Sequence, residues 1–375
     1  MVVRGRSHGL EQGQINEPEA SARLLRLVLE EGRFALASAM IRRRHMELPF
    51  VELHSETRIL DSAQSFPPLT QALIRLFSLG EGMPMDEVED ALSRETMSDL
   101  IAGGLMIVSD ASVRARWLIA TYLNRYFLAS PPLTIRPYSR REGIVYVGAE
   151  SYWMARFVAS SGPSDSVLDL GTGTGLLACM ADTRRALGVE VDPAAAEIAA
   201  FNVMLNGLQD KVEIQIGDLY GCVPGRKFDL IVANPPFMPA PEGTHLPICG
   251  DGGHLGDDVL KRVLVGLDRH LGPAGQALVY AEAFGDFEEP QIVRWLRESD
   301  LGALKFSVFV RSTQSLEGAS LGLTLLWQET GASEEVAWKA WRYLADKLDA
   351  SYHHAFLIIA NRGNSGVSVH HPYRV

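Results

Sequence analysis

The stretch FDLIVANPPF, residues 228–237, constrains the fold more than any other part of the chain. Its first six residues form a short apolar run of the kind that makes a strand buried on both faces. Neither Pro235 nor Pro236 has an amide proton for a sheet ladder, so the strand must stop there. At the carboxyl edge of a parallel sheet, this stop places the Asn234 side chain, the Pro235 carbonyl and the Phe237 ring over the crevice where ligands bind. Two acceptors beside a flat ring suit a planar substrate carrying an NH2 group. The acceptors hold its protons, the ring lies along its plane, and the nitrogen lone pair faces an electrophile. An ordinary loop exit uses the same residue types, so the tip gains meaning only from the motifs around it.

Upstream, residues 166–170 read as a strand running into VLDLGTGTG, with a helix opening over 175–181. Gly171, Gly173 and Gly175 let the backbone approach a ligand resting at that helix's start. A dinucleotide fingerprint wants its third glycine one position later, where this chain has Leu176, which counts against NAD. The next strand, 186–191, ends near Glu190, about 20 residues after the first glycine, where a carboxylate can accept from both ribose hydroxyls. Asp192-Pro193 reads as the cap and first turn of a helix over 194–206, closed by Gly207. After a strand at 212–216, Gly217-Asp218 offers a carboxylate to an exocyclic adenine amine.

Further strands at 228–233 and 277–282 and helices at 257–271 and 291–298 continue the alternation, which defines an α/β, doubly wound parallel sheet. Three more strand-like runs, 304–310, 320–327 and 355–360, are expected to contribute an edge pair, with a helix at 334–348 before the last of them. His353-His354 and His370-His371 are not expected to bind metal, because adjacent residues on a strand face opposite ways.

The front of the chain differs. Residues 20–31 and 34–46 carry helical apolar spacing around Gly32, and Arg42-Arg43-Arg44 reads as a solvated helix end. Helices at 69–78, 85–92 and 94–101, followed by strand-like 105–110 and 113–122, give a winged-helix order. A DNA reader needs a basic recognition helix, yet 85–104 carries Asp86, Glu87, Glu89, Asp90, Glu95 and Asp99 against Arg94 alone, which points to a capping or substrate-facing module. Pro131, Pro132 and Pro137 mark the boundary, giving domains 1–136, with a loose first 18 residues, and 137–375.

Composition narrows the function classes. A net charge of −11 gives no general attraction to a phosphate backbone, so long nucleic acid is a disfavoured partner. Cys179, Cys222 and Cys249 lack metal-site or disulfide spacing, which suggests reduced thiols and a cytoplasmic location. No apolar run suggests a signal peptide or a membrane span, and nothing in the sequence speaks to oligomeric state.

Taken in order, Asp169-Leu-Gly-Thr-Gly-Thr-Gly175, Glu190, Asp218 and Asn234-Pro-Pro-Phe237 resemble the class I S-adenosylmethionine-dependent methyltransferases over roughly 146–282. That resemblance implies S-adenosyl-L-methionine as cofactor. Asp169, Gly171, Thr172, Gly173 and Gly175 would hold its methionine portion, Glu190 its ribose and Asp218 its adenine, with Val191 and Leu219 also on the cofactor. Asn-Pro-Pro-Phe is similar to the branch that methylates amide or exocyclic amine nitrogens, including protein glutamine and nucleobase methyltransferases. GDGGHLGDDVLKRVL, 250–264, is similar to the glutamine-methylating members. Asn234, Pro235 and Phe237 are then the catalytic candidates, and Tyr146, Glu150, Pro236 and Phe237 line the acceptor pocket of a small molecule or protein amide. Two other chemistries suit the same tip. One is attack by the cofactor's own amino group with loss of methylthioadenosine. The other is methylation of an RNA base, for which Arg42 to Arg44 is the local support.

Overall fold

The computed structural model describes residues 14–45, 63–131, 142–347 and 350–371. The chain divides into two units. The first comprises Met1–Ser139, Val145–Val147 and Ala200–Gln209; the second comprises Arg140–Ile144, Gly148–Ala199 and Asp210–Val375.

In the first unit, helices α1 (Pro18–Glu31), α2 (Phe34–His45) and α3 (Pro68–Leu73) are followed by one π-helical turn at Ile74–Ser78. Then come β1 (Met83–Pro84), α4 (Met85–Leu92), α5 (Arg94–Ala102), β2 (Met106–Ser109) and β3 (Ser112–Ala115). β1, β3 and β2 form a three-stranded antiparallel sheet in that order. The expected single strand over 113–122 is two: the chain breaks at Arg116-Trp117 and resumes as β4 (Leu118–Tyr122), paired with an unforeseen β5 (Arg125–Ala129). The edge of β5 is completed by side chains. Asn202 Oδ1 accepts from the Leu128 amide and its Nδ2 donates to the Leu128 carbonyl, and Asn206 does the same at Tyr126. Two asparagines one helical turn apart thus stand in for a missing strand, satisfying backbone groups that burial would otherwise leave at a cost of about 1 to 3 kcal/mol each.

The second unit begins with α6 (Ala149–Ser160), β6 (Ser164–Leu170), α7 (Leu176–Met180), β7 (Thr183–Glu190) and α8 (Pro193–Leu205), whose last turns count with the first unit. It continues with β8 (Val212–Ile216), β9 (Phe228–Ala233), α9 (Asp258–His270), β10 (Leu271–Gly285), α10 (Gln291–Glu298) and β11 (Leu304–Ser315). The last elements are α11 (Leu316–Glu329), α12 (Glu334–Lys347), β12 (Tyr352–Arg362) and β13 (Gly366–His370). Eight strands form one sheet in the order β13-β11-β12-β10-β9-β6-β7-β8. β8, β7, β6, β9 and β10 run parallel. β12 is inserted antiparallel between β10 and β11, so the sheet is mixed at that end rather than parallel throughout. Leu230, Ile231, Val232 and Ala233 are all nearly or fully buried, as a central strand between β6 and β10 requires.

The topology places the crevice. From β6 the chain steps outward through β7 to β8, then returns to the other side of β6 as β9, so the carboxyl ends of β6 and β9 flank a reversal of strand order.

One expected strand is overturned. Residues 320–327 lie inside helix α11, whose start is capped by the Ser315 hydroxyl accepting from the Gly318 amide. Ala319, Leu323 and Trp327 fall on one face at four-residue spacing and pack with Ala337, Ala340 and Leu344 of α12. The β-favouring composition of that run loses to its helical period. The runs at 304–310 and 355–360 are strands, β11 and β12, both longer than expected.

Candidate active site

Three left-handed glycines shape the loop after β6: Gly171 at φ 67°, Gly173 at φ 54° and Gly175 at φ 77°. A Cβ at Gly171 would meet nothing within 4 Å, so the loop presents bare backbone to open space. Its donors, however, point inward. The amides of Gly171 and Thr172 donate to the Val189 carbonyl, that of Gly173 to Glu190 Oε2 at 2.9 Å, and that of Gly175 to the Thr172 carbonyl. A pyrophosphate site needs such amides aimed at the ligand, so this loop is ill suited to one. The helix that follows has only five residues, and the expected help from its dipole is correspondingly slight.

The loop surrounds its space with acceptors instead. Asp169, 1% exposed, accepts on Oδ2 from the Thr172 hydroxyl at 2.6 Å and the Ala178 amide at 3.0 Å, while its Oδ1 is buried with no partner. Burial, partly opposed by these two bonds, pushes its carboxyl up to about 6. Glu190 is buried at the end of β7, where Oε1 accepts from the Asp192 amide and Oε2 from Gly173; burial raises its pKa also. Asp192 caps α8 through Oδ1 and the Ala194 amide, and its Oδ2 takes the Gly143 amide, so it is structural as expected.

Val191 is 50% exposed, and Ile216, which pairs in register with Glu190 from the neighbouring strand, is 56% exposed. Two open apolar side chains at adjacent strand ends give flat walls beside the Glu190 carboxylate. Ile216 was not foreseen; its signal is an apolar residue at the point where β8 gives way to Gly217-Asp218. Asp218 is more than half exposed and paired with Arg262 at 2.6 Å, and Leu219 takes a left-handed φ of 48° at the start of a 3-10 turn. An exposed pair of this kind contributes little, so Arg262 leaves Asp218 readily available.

At the end of β9, Asn234 is partly buried and its Oδ1 is fully covered without a hydrogen-bond partner. Pro235 is buried, and Pro236 and Phe237 are partly open. β10 runs past the end of β9, Ala233 pairing with Val279, so that the Tyr280 ring reaches Phe237 edge-on at 5.8 Å. Beyond the tip the chain folds back: the Met238 amide donates to the Gly250 carbonyl, and Gly252 and Ala240 complete the clasp with Met238 and Gly253. Gly256 sits against Phe237 so closely that a Cβ would collide with the Phe237 carbonyl oxygen. The buried Trp327 indole of α11 donates to the Pro239 carbonyl at 3.0 Å, pinning the same segment. The sequence does not announce this support, because residues 320–327 carry a strand-like composition.

Glu150, in the first turn of α6, accepts from the Ser151 hydroxyl and lies near Glu282. Tyr146 falls in Val145–Val147, which counts with the first unit, and is 55% exposed. Arg42 to Arg44 end α2. His353 and His354 hold protein partners: His353 faces Glu282 at 3.6 Å, and His354 lies between Thr313 and the Asp286 carbonyl. All three cysteines are free, and no helix among the described residues is long and apolar enough to cross a membrane.

A sheet whose strand order reverses at β6, a glycine loop that offers acceptors rather than donors, and an amide-tipped strand beside it make up the candidate site. Residues 151–250 match the family described as the methyltransferase small domain, and residues 53–116 match a domain of unknown function (DUF7059). The chain is similar to a ribosomal protein uL3 glutamine methyltransferase of Bradyrhizobium diazoefficiens, 36% identical over 123 residues, covering 30% of this chain and 39% of the relative. It is similar to a release factor glutamine methyltransferase of Cereibacter sphaeroides, 35% identical over 132 residues, covering 31% and 46%. A tRNA1(Val) (adenine(37)-N6)-methyltransferase of Porphyromonas gingivalis is 41% identical over 95 residues, covering 23% and 37%. The chain thus spans less than half the length of each of these relatives.

Proposed function

We propose that the protein transfers a methyl group from S-adenosyl-L-methionine to an amide or amine nitrogen, with a protein glutamine amide as the first acceptor class. The observation that carries this reading is the pair of buried acceptor oxygens without partners, Asp169 Oδ1 and Asn234 Oδ1, at the ends of two adjacent strands. An unpartnered buried acceptor is costly, and each suits a different nitrogen donor: a cofactor ammonium at Asp169 and an acceptor NH2 at Asn234.

The residues fit the cofactor. Glu190 retains acceptor capacity for two ribose hydroxyls beyond the amides it already holds, Val191 and Ile216 offer apolar faces to a base, and Asp218 offers an acceptor to an exocyclic amine. When bound, the cofactor supplies an activated methyl on a sulfonium, so no protein group has to create the electrophile. What the chain must do is align a poor nucleophile and exclude water, and positioning of that kind is worth about 7 to 11 kcal/mol. Asn234 Oδ1 and the Pro235 carbonyl would take the two amide protons and return electron density to the nitrogen. Phe237, fixed by its contact with Tyr280, would face the charge that develops, for about 0.5 to 2 kcal/mol.

The glutamine methyltransferases among the relatives favour the protein-amide acceptor. The tRNA relative favours a second reading, an adenine amine, which presents the same planar NH2 to the same tip. The experiment is transfer of labelled methyl from the cofactor to glutamine peptides and to tRNA. Asn234→Ala should lose on the order of a hundredfold or more in turnover, as removal of one preorganised polar group does, while S-adenosylhomocysteine affinity changes only a few-fold. Unchanged turnover in that variant removes the mechanism.

A further inference from the structure

β9 ends at Ala233, which pairs with Val279, so Tyr280 of β10 stands level with Asn234, where the parallel ladder has just stopped. Side chains alternate along β10: Val279, Ala281 and Ala283 enter the main core, and Tyr280 takes the opposite face, where α6 brings Trp153. Tyr280 is 1% exposed, and a phenol so deeply buried needs a hydrogen-bond partner. Glu282, two residues on and therefore on the same face, supplies it: the hydroxyl donates to Glu282 Oε1 at 2.7 Å. Glu282 is steadied in turn, its Oε2 lying 3.6 Å from His353 Nε2, with Gln314 on the other ring nitrogen of His353 at 3.3 Å. The flank of the Tyr280 ring meets Trp153 edge-on at 5.7 Å, and Arg311 covers Trp153 at 5.2 Å. Tyr280 is thus held at its tip and at its flank by residues of β10, α6, β11 and β12.

Phe237 is the opposite case. Its backbone is clasped by the segment that folds back after it, but its side chain is partly open, and its plane is set only by two side-chain torsions. The Tyr280 ring meets it edge-on at 5.8 Å, with 67° between the planes, a contact that favours one ring orientation over the others. A ring that presents its face to a developing charge has to keep one plane, and a rigid neighbour secures that without touching the acceptor.

We infer that Tyr280 is a positioning residue: clamped between Glu282 and Trp153, it fixes the plane of the Phe237 ring and, through that ring, the alignment of the acceptor nitrogen. This rests on the N-methyltransferase reading and deepens it by naming the group that acts on turnover from behind the tip.

The test uses the full-length protein. Crystal structures of the ligand-free parent, Tyr280→Phe and Tyr280→Leu report the Phe237 ring directly: Tyr280→Phe should keep its orientation, and Tyr280→Leu should turn it or leave it in more than one orientation. S-adenosylhomocysteine affinity by calorimetry should stay within a few-fold of the parent in both, which also shows that they fold. Should Tyr280→Leu fail to fold, Trp153→Leu, which opens the other side of the clamp from a half-buried position, carries the same expectation for the Phe237 ring. Turnover is read as labelled methyl transferred to an Ala-Gln-Ala peptide amide. Tyr280→Leu should lower kcat about tenfold with little change in the KM for the peptide, Tyr280→Phe should recover most of that loss, and Tyr280→Leu added to Phe237→Leu should cost no more than about twofold further. Additive losses in that cycle, a Phe237 ring that keeps its orientation in Tyr280→Leu, or a loss confined to S-adenosylhomocysteine affinity overturns the inference. A parent that neither binds S-adenosylhomocysteine nor methylates the peptide counts against the underlying methyltransferase reading instead, and the Phe237 ring in ligand-free crystals still decides the inference.

Discussion

The two sides of the crevice are built differently. Around β6 and β7 the site is backbone and its immediate neighbours: three positive-φ glycines, Asp169 tied to Thr172 and Ala178, and Glu190 holding Gly173. Around β9, β10 and α11 it is groups far apart in the chain, with Phe237 against Tyr280 and the Trp327 indole on the Pro239 carbonyl. A ligand common to many enzymes can be held by a fixed loop, whereas an acceptor particular to one is met by groups that can be exchanged without disturbing the sheet. Changes on the first side should alter cofactor affinity, and changes on the second should alter turnover or acceptor choice.

The largest effect expected from breaking that contrast is at Trp327. It is fully buried in a cluster with Leu246, Phe284 and Leu344, so Trp327→Ala should cost about 3 to 5 kcal/mol in denaturant unfolding. Trp327→Phe should cost less while leaving the Pro239 carbonyl without its donor. If the supporting role is right, that variant lowers turnover with S-adenosylhomocysteine affinity intact; a loss confined to cofactor affinity would blur the division between the two sides.

Asp169 gives the next largest effect, and it depends on pH. Its folded pKa is raised from 3.8 to about 6, so the folded state holds the proton more tightly than the unfolded chain. The stability due to that proton is fully present below about pH 4 and is lost as pH rises through about 6, an effect on the order of 3 kcal/mol. Asp169→Asn should remove this slope. Unfolding of ligand-free parent and variant between pH 4 and 7 should show the variant gaining relative stability as pH rises; parallel curves would mean that Asp169 is not strained by burial.

The smallest effect is at Glu190. Glu190→Gln keeps an acceptor but loses the charge, and S-adenosylhomocysteine affinity should fall about tenfold, in line with one charge-assisted hydrogen bond. Turnover at saturating cofactor should change less than affinity, and an equal loss of turnover would show the two sides to be coupled.

The same contrast explains what the sequence revealed. Gly171 to Gly175, Glu190 and Asn234 were legible because each lies at the end of a strand marked by an apolar run, and period and punctuation place such residues without knowledge of distant contacts. The strand over 228–233 and the helix over 291–298 match their expected bounds for the same reason. Glu282, Arg311 and His353 were not legible as a group, because they meet only through the antiparallel insertion of β12 between β10 and β11, which no local pattern encodes. Asn202 and Asn206 were illegible in another way: their spacing marks a helix face, but only the edge of β5 gives it meaning. Residues 320–327 show how two periods can compete in one run, with burial of Leu323 and Trp327 deciding for the helix.

The central claim is that the Asn234 side chain faces the position from which the methyl group departs. The most direct measurement is a crystal structure with sinefungin, an analogue whose amine stands where the cofactor's methyl would be. The account predicts the nucleoside held by Glu190, with that amine donating to Asn234 Oδ1, the buried oxygen that now lacks a partner. Sinefungin bound away from the Gly171–Gly175 loop, or its amine turned from Asn234, would contradict it.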